Sequence, residues 1–231
     1  MAYAWIVAVV LVSVGSASAA EPVRSVDIYV QPFYEAPKKP GDKPRVSVGR
    51  SFDALLASGR REDVLAVRDR VLAEPAMITP MTMMVLAIRL YDVSLRDDAV
   101  FWFYAAKERY IMLSQVIDVN AGGLADVDAA IKSFATLAGP VINGYAFCDQ
   151  KNQRDLHAKA IAWVEANPYQ VMFFPELPGR PGTRADNHKR ALGAMKANAA
   201  KEAAYFDDPR NVESFYATRK RTEADVKYCW N

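Results

Sequence analysis

The pattern of apolar and polar positions changes character near residue 50. Before it, SVDIYVQPFY (25–34) alternates weakly, and APKKPGDKPR (36–45) carries three prolines and a glycine in ten residues. That pattern predicts a short strand or extended arm, a loop, and a second short strand at RVSV (45–48). From Ser51 onward the apolar spacing is helical. Ser51 is the expected N-cap of FDALLAS (52–58), which Gly59 ends. EDVLAVRDRVLAE (62–74) opens with two acids and stops at Pro75. Thr79-Pro80 starts MTMMVLAIRLYDV (81–93), because an N-cap side chain followed by proline suits the first helical turn. After a turn at Ser94–Arg96, a helix is predicted as far as Val116.

Further along, Gly122-Gly123 breaks the chain, and ADVDAAIKSFATLA (125–138) is helical. Gly139-Pro140 is expected to end it, with a separate helix over 141–148. DLHAKAIAWVEAN (155–167) places Leu156, Ala160, Ile161, Trp163 and Val164 on one face and ends before Pro168. PELPGRPGT (175–183) is a loop, and two more helices are expected near 184–205 and 210–228. The fold class expected is all-α: one helical domain over 51–231, behind an extended or β arm and Pro-rich loop at 21–50.

The helix after Ser94 is unusual. Phe101, Trp102, Phe103 and Tyr104 are consecutive, and at about 100° per residue they point in every direction. Such a helix needs cover on several sides. Sliding the sequence by 35 residues places LLASGRRED (55–63) on LYDVSLRDD (90–98), pairing Leu55 with Leu90 and Arg61 with Arg96. Each window reads as helix end, tight turn and acidic helix start. Leu86-Ala87 and Leu90, followed by Ala99, Phe103 and Ala106, resemble the helical hairpin of tetratricopeptide or Sel1-like repeats. The first unit is similar through Leu55, Gly59, Val64 and Val71. Ser94 stands where the repeat usually has its turn glycine, and Ile111 where it has its closing proline.

The resemblance covers residues 51–111 and implies stacked hairpins. Ala99, Phe103 and Ala106 would then face the hairpin partner, Trp102 and Phe101 would meet neighbouring units, and Tyr91 or Tyr104 would lie near a surface. The aromatics are either all core or include one or two that line a partner groove. The candidate partner-binding residues are Tyr91, Phe101 and Tyr104, with Glu176 and Arg180 on the Pro/Gly loop.

At the N-terminus, an apolar run over Ala4–Val14 followed by Ala17-Ser18-Ala19 has the form of a signal peptide over residues 1–20. The run is shorter than the roughly 20 residues that span a bilayer. It implies a periplasmic protein with no stable membrane insertion after cleavage, the alternative being an uncleaved anchor. Cys148 and Cys229 are the two cysteines, and in an oxidising compartment they form a plausible disulfide, two free buried thiols being the alternative.

A net charge of +2 and a lone basic triplet, Arg219–Arg221, do not suit nucleic acid. No HExxH, GxSxG, P-loop or GxGxxG pattern occurs, so no cofactor or metal is expected. His157 and His188 are the two histidines, and His157 is read as a surface or capping residue. The acid pairs Glu62/Asp63, Asp97/Asp98 and Asp207/Asp208 sit at helix starts, where the dipole favours them.

The expected function is therefore non-enzymatic protein binding. DDAVFWFYAA (97–106) resembles stretches of secreted bacterial immunity proteins, which implies a cognate secreted toxin as partner. A periplasmic adaptor in cell-envelope assembly is the alternative. A cell-wall hydrolase would need a cleft converging on His157, Glu165 or Glu176.

Overall fold

The computed structural model describes residues 20–121 and 123–230, so the expected signal peptide lies outside the described residues apart from Ala20. The weakly alternating arm forms a two-stranded antiparallel ribbon, β1 (Tyr34–Glu35) with β2 (Arg45–Val46), Tyr34 pairing with Val46. The arm is not a loose appendage. Val26, Val30 and Tyr34 are buried, and the Val26 N–H donates to Asp92 Oδ1 at 2.8 Å. Burial lifts the Asp92 carboxyl to about 6 despite its ion pair with Arg89.

The helices are α1 (Asp53–Ala57), α2 (Arg61–Ala73), α3 (Pro80–Asp92), α4 (Arg96–Val116), α5 (Ala125–Ala146), α6 (Gln150–Ala166), α7 (Arg184–Asp207), α8 (Pro209–Arg221) and α9 (Ala224–Tyr228). The fold is all-α. Thr79 caps α3 as expected, accepting from the Thr82 N–H at 3.0 Å. Ser51 does not cap α1. Asp53 instead accepts the N–H groups of Val48 and Gly49, holding the preceding turn.

The shift of 35 residues seen in the sequence has a backbone counterpart. Helices α1 and α3 end at Ala57 and Asp92, and α2 and α4 begin at Arg61 and Arg96. Between them, Gly59 (φ 70°) and Ser94 (φ 62°) both take the left-handed conformation. Two helical hairpins thus share one turn geometry, with serine in the second doing what glycine does in the first.

Helix α4 packs against α3, α5, α6 and α7. Trp102, Phe103 and Tyr104 are all buried, and Phe101 is half-buried. Trp102 meets Trp163 of α6 edge-on at 5.1 Å between ring centroids, and Phe101 leans on both. The ring of Phe103 reaches Gly139 of α5, beyond the hairpin partner expected for it. Helix α5 is also continuous where a break was expected. Pro140 removes one backbone bond, but Ile131, Phe134, Ala138 and Ile142 share a single buried face on both sides of it.

The C-terminal helices fold back onto α5. Cys148 and Cys229 are bonded, with Cα atoms 5.4 Å apart. Beside them, the Tyr228 ring lies so close to Gly144 that a Cβ there would sit 2.5 Å from it. Closing a loop of 81 residues is worth up to about 4.5 kcal/mol on the chain-entropy account.

The shared turn makes an asymmetric pair of variants informative. Gly59→Ala forces a Cβ into left-handed backbone and to 3.0 Å from Arg89 Nη2. It should cost about 1–2 kcal/mol in urea denaturation. Ser94→Gly should be neutral or gain up to about 1 kcal/mol, since the same penalty is relieved there.

Candidate functional site

A groove of about 550 Å³ lies beside the first hairpin. Ser51 and Phe52 supply one wall, the end of α2 supplies Arg70, Ala73 and Glu74, and the turn Pro75–Met77 supplies Met77 beside Ile78. Arg70 spans the groove, its Nη1 donating to Ser51 O at 3.1 Å. Val64, Val67 and Val71 carry the buried face of α2, so Leu72 falls on its outer side and is 47% exposed. Met77 is 53% exposed. Met77 is thus left in water on the wall of a concave surface flanked by one cationic and one anionic residue, while Leu72, roughly 160° around α2 from Arg70 and Glu74, stands on another side of that helix.

Arg109 of α4 fixes the turn that forms this wall. It is almost wholly buried, with no carboxylate partner among the described residues, and its Nη1 donates to Pro75 O and Ile78 O, both at 2.9 Å. Its Nη2 donates to Asn167 O at 2.7 Å, beyond α6. The guanidinium lies 4.6 Å from the Trp163 ring centroid, so cation–π attraction replaces the missing anion. Burial lowers its pKa to about 10, which leaves it cationic at neutral pH.

A second feature is polar. Where α4, α6 and α7 meet, Tyr104, Glu108, Gln153, His157 and Glu202 come together. Tyr104 donates to Asn143 Oδ1 at 2.9 Å and accepts from Gln153 Nε2 at 3.1 Å. His157 is buried, with Nε2 3.4 Å from Glu108 Oε1 and Nδ1 3.5 Å from Glu202 Oε2. It is therefore not the surface or capping residue expected. Its carboxylate neighbours lie 49 and 45 positions away in sequence, so no local spacing reveals them. Of the acids a hydrolase reading would use, Glu165 is paired with Lys196 at 2.6 Å and Glu176 stands exposed on the loop.

No family model matches the chain, and no solved structure matches it. A protein of Haemophilus influenzae described as uncharacterized is 33% identical over 210 residues, covering 91% of this chain and 81% of that protein. The chain belongs to the family of that Haemophilus protein. With 91% of the chain inside the match, the helical body is a family feature rather than an addition of this member.

The five candidate partner-binding residues do not converge in this family member. Tyr91 is fully buried, its hydroxyl donating to Val23 O at 3.0 Å, and Tyr104 is buried in the polar cluster. Both corrections have one cause: the N-terminal arm and α6 cover faces that a bare hairpin would leave open. Phe101 is half-buried against Trp163. Glu176 is exposed and Arg180 is half-buried, pinned by its Nε to Ser114 O at 3.1 Å and by its backbone N–H to Val116 O. The groove residues Phe52, Arg70 and Met77 were not among the candidates. The available signal was Met77, an apolar residue in the short turn between Pro75 and Thr79-Pro80, outside any helical stripe.

Replacing Arg109 by methionine keeps an apolar stem but strands three carbonyls, that of Ile78 buried and those of Pro75 and Asn167 partly buried. At about 1–3 kcal/mol for each unsatisfied group, with partial relaxation, Arg109→Met should cost roughly 3 kcal/mol in chemical denaturation. Arg109→Lys should fall only part-way back, because an ammonium lacks the fork that spans Pro75, Ile78 and Asn167.

Proposed function

We propose that this protein works outside the cytoplasm as a protein-binding module, and most specifically as an immunity protein that occludes a secreted antibacterial toxin. The observation that carries this reading is the groove lined by Phe52, Ala73, Met77 and Ile78, with Met77 left exposed in the turn after the first hairpin. Exposed apolar side chains around a concave surface mark places where a partner's side chains are buried. The repeated turn at Gly59 and Ser94 supports the tetratricopeptide or Sel1-like reading of these hairpins, a class whose stacked faces receive peptides and domains.

The compartment enters the same proposal. The Cys148–Cys229 bond suits an oxidising environment, and no helix among the described residues is long and apolar enough to cross a membrane. A rigid partner for occlusion is also supported, because the groove walls are held by Arg70 and Arg109 rather than by loose loops. The alternative, an adaptor in envelope assembly, would use the same surface for a resident protein.

The test is a pull-down from periplasmic extract with the mature chain, co-expressed with secreted proteins encoded beside it. A stoichiometric partner that is toxic alone, and whose capture falls at least tenfold with Ala73→Glu/Met77→Glu, is the expected result. Envelope-assembly components captured through the same residues would replace immunity by the adaptor. Capture that is indifferent to these two substitutions would remove the groove from the account.

A further inference from the structure

The polar cluster around His157 opens into a cavity of about 270 Å³ between α6 and α7, on residues the groove does not share. Gln153, Arg154 and His157 line it from α6, and Ala199, Glu202 and Phe206 from α7. The alanine at 199 keeps the α7 wall low.

The hydrogen bonding here is incomplete in one particular sense. Gln153 is 1% exposed, and its Nε2 donates to Tyr104 Oη and, at 3.0 Å, to Glu202 Oε1. Glu202 only accepts, so the amide nitrogen must face it and the amide oxygen is left over. That Oε1 is buried without a partner. His157 is loosely held as well: its two carboxylate contacts, 3.4 and 3.5 Å, exceed the roughly 2.7–3.2 Å of a well-formed N–H···O bond. Among the described residues Arg154 is the cationic side chain on the wall; its Nη2 is engaged by Asp207 at 3.1 Å, and its buried Nε has no partner. The cavity therefore offers an orphaned acceptor and a half-open carboxylate, with a second carboxylate behind the imidazole; among the described residues the cation on its wall, Arg154, is paired with Asp207 instead of with them.

We propose that this cavity binds a primary alkylammonium group. Its N–H donors match Gln153 Oε1 and the two oxygens of the Glu202 carboxylate. The alkyl part lies against Ala199 and the Phe206 ring. A quaternary ammonium has no donors to give, and an uncharged alcohol leaves the carboxylates unanswered, so neither fits. The group comes either from a free small amine or from a lysine side chain of a protein partner, and both present the same chemistry.

The test uses the whole mature protein in calorimetric titration, with n-butylammonium and Nα-acetyl-lysinamide as probes and 1-butanol and tetramethylammonium as controls. Saturable 1:1 binding of at least one amine is expected, with both controls at least tenfold weaker. Glu202→Gln, at a partly open position, should weaken binding at least tenfold while leaving the thermal transition nearly unchanged. Ala199→Leu should abolish binding by filling the space. Tighter binding of the lysine derivative would assign the group to a partner's side chain, and tighter binding of butylammonium would assign it to a free amine. No saturable binding of either amine, equal binding of butanol, or affinity unchanged in Glu202→Gln would overturn the proposal. Because no protein partner is present in this titration, its outcome is independent of the pull-down that tests the groove.

Discussion

A helix that carries apolar side chains around its whole circumference cannot be satisfied by one neighbour. Helix α4 has twelve buried residues, and they include Val100, Trp102, Phe103 and Tyr104 in near succession. Truncating a buried aromatic of this size costs about 3–5 kcal/mol, so each uncovered face would be a large loss. The remaining architecture follows from that demand. Helix α3 covers one side as hairpin partner, α5 supplies Gly139 to Phe103, and α6 brings Trp163 to Trp102. The polar residues on α4 are then enclosed too, which is why Glu108 and Arg109 find backbone carbonyls, aromatic faces and a histidine instead of water.

The same enclosure accounts for the two termini of the described chain. At the start of α4, Arg96 stacks on Trp230 at 4.1 Å and on Tyr145 at 4.4 Å, and its Nη2 donates to Trp230 O at 2.7 Å. The N-terminal arm joins this seam, with the Val23 N–H donating to Lys227 O at 2.8 Å and Arg24 lying over Trp230. The disulfide fixes the tail at its last turn, so that the chain closes around the end of α4 as well as its sides. What stays outside the packing is then informative: the groove at Met77 beside the first hairpin and the cavity between α6 and α7.

Much of this was legible in the sequence because it is local. Helix ends at Gly59, Pro75 and Thr79-Pro80 are marked by backbone chemistry that acts within a few residues, and the repeat of 35 fixed the hairpin turns before any contact was known. The misreadings have a common origin in long-range packing. Gly139-Pro140 is a strong local stop, but one continuous buried face across it outweighs a single missing hydrogen bond. Tyr91 and Tyr104 belong near a surface in an isolated hairpin, and elements distant in sequence bury both. His157 lies on an amphipathic helix with nothing nearby to mark it, because its partners come from α4 and α7. The groove was missed for the opposite reason, since a lone exposed methionine in a turn is ordinary until a concave wall is seen beside it.

The claim that everything is organised around α4 is tested most directly by native-state hydrogen exchange, read by fragment mass spectrometry or by NMR. Amides in the core of α4, from Val100 to Tyr110, should exchange only through global unfolding, with free energies equal to the stability measured by denaturation. Those of α8, with a single buried side chain, should open locally and far sooner. Exchange in α4 that is faster than in α3 or α5, or that matches α8, would contradict the account.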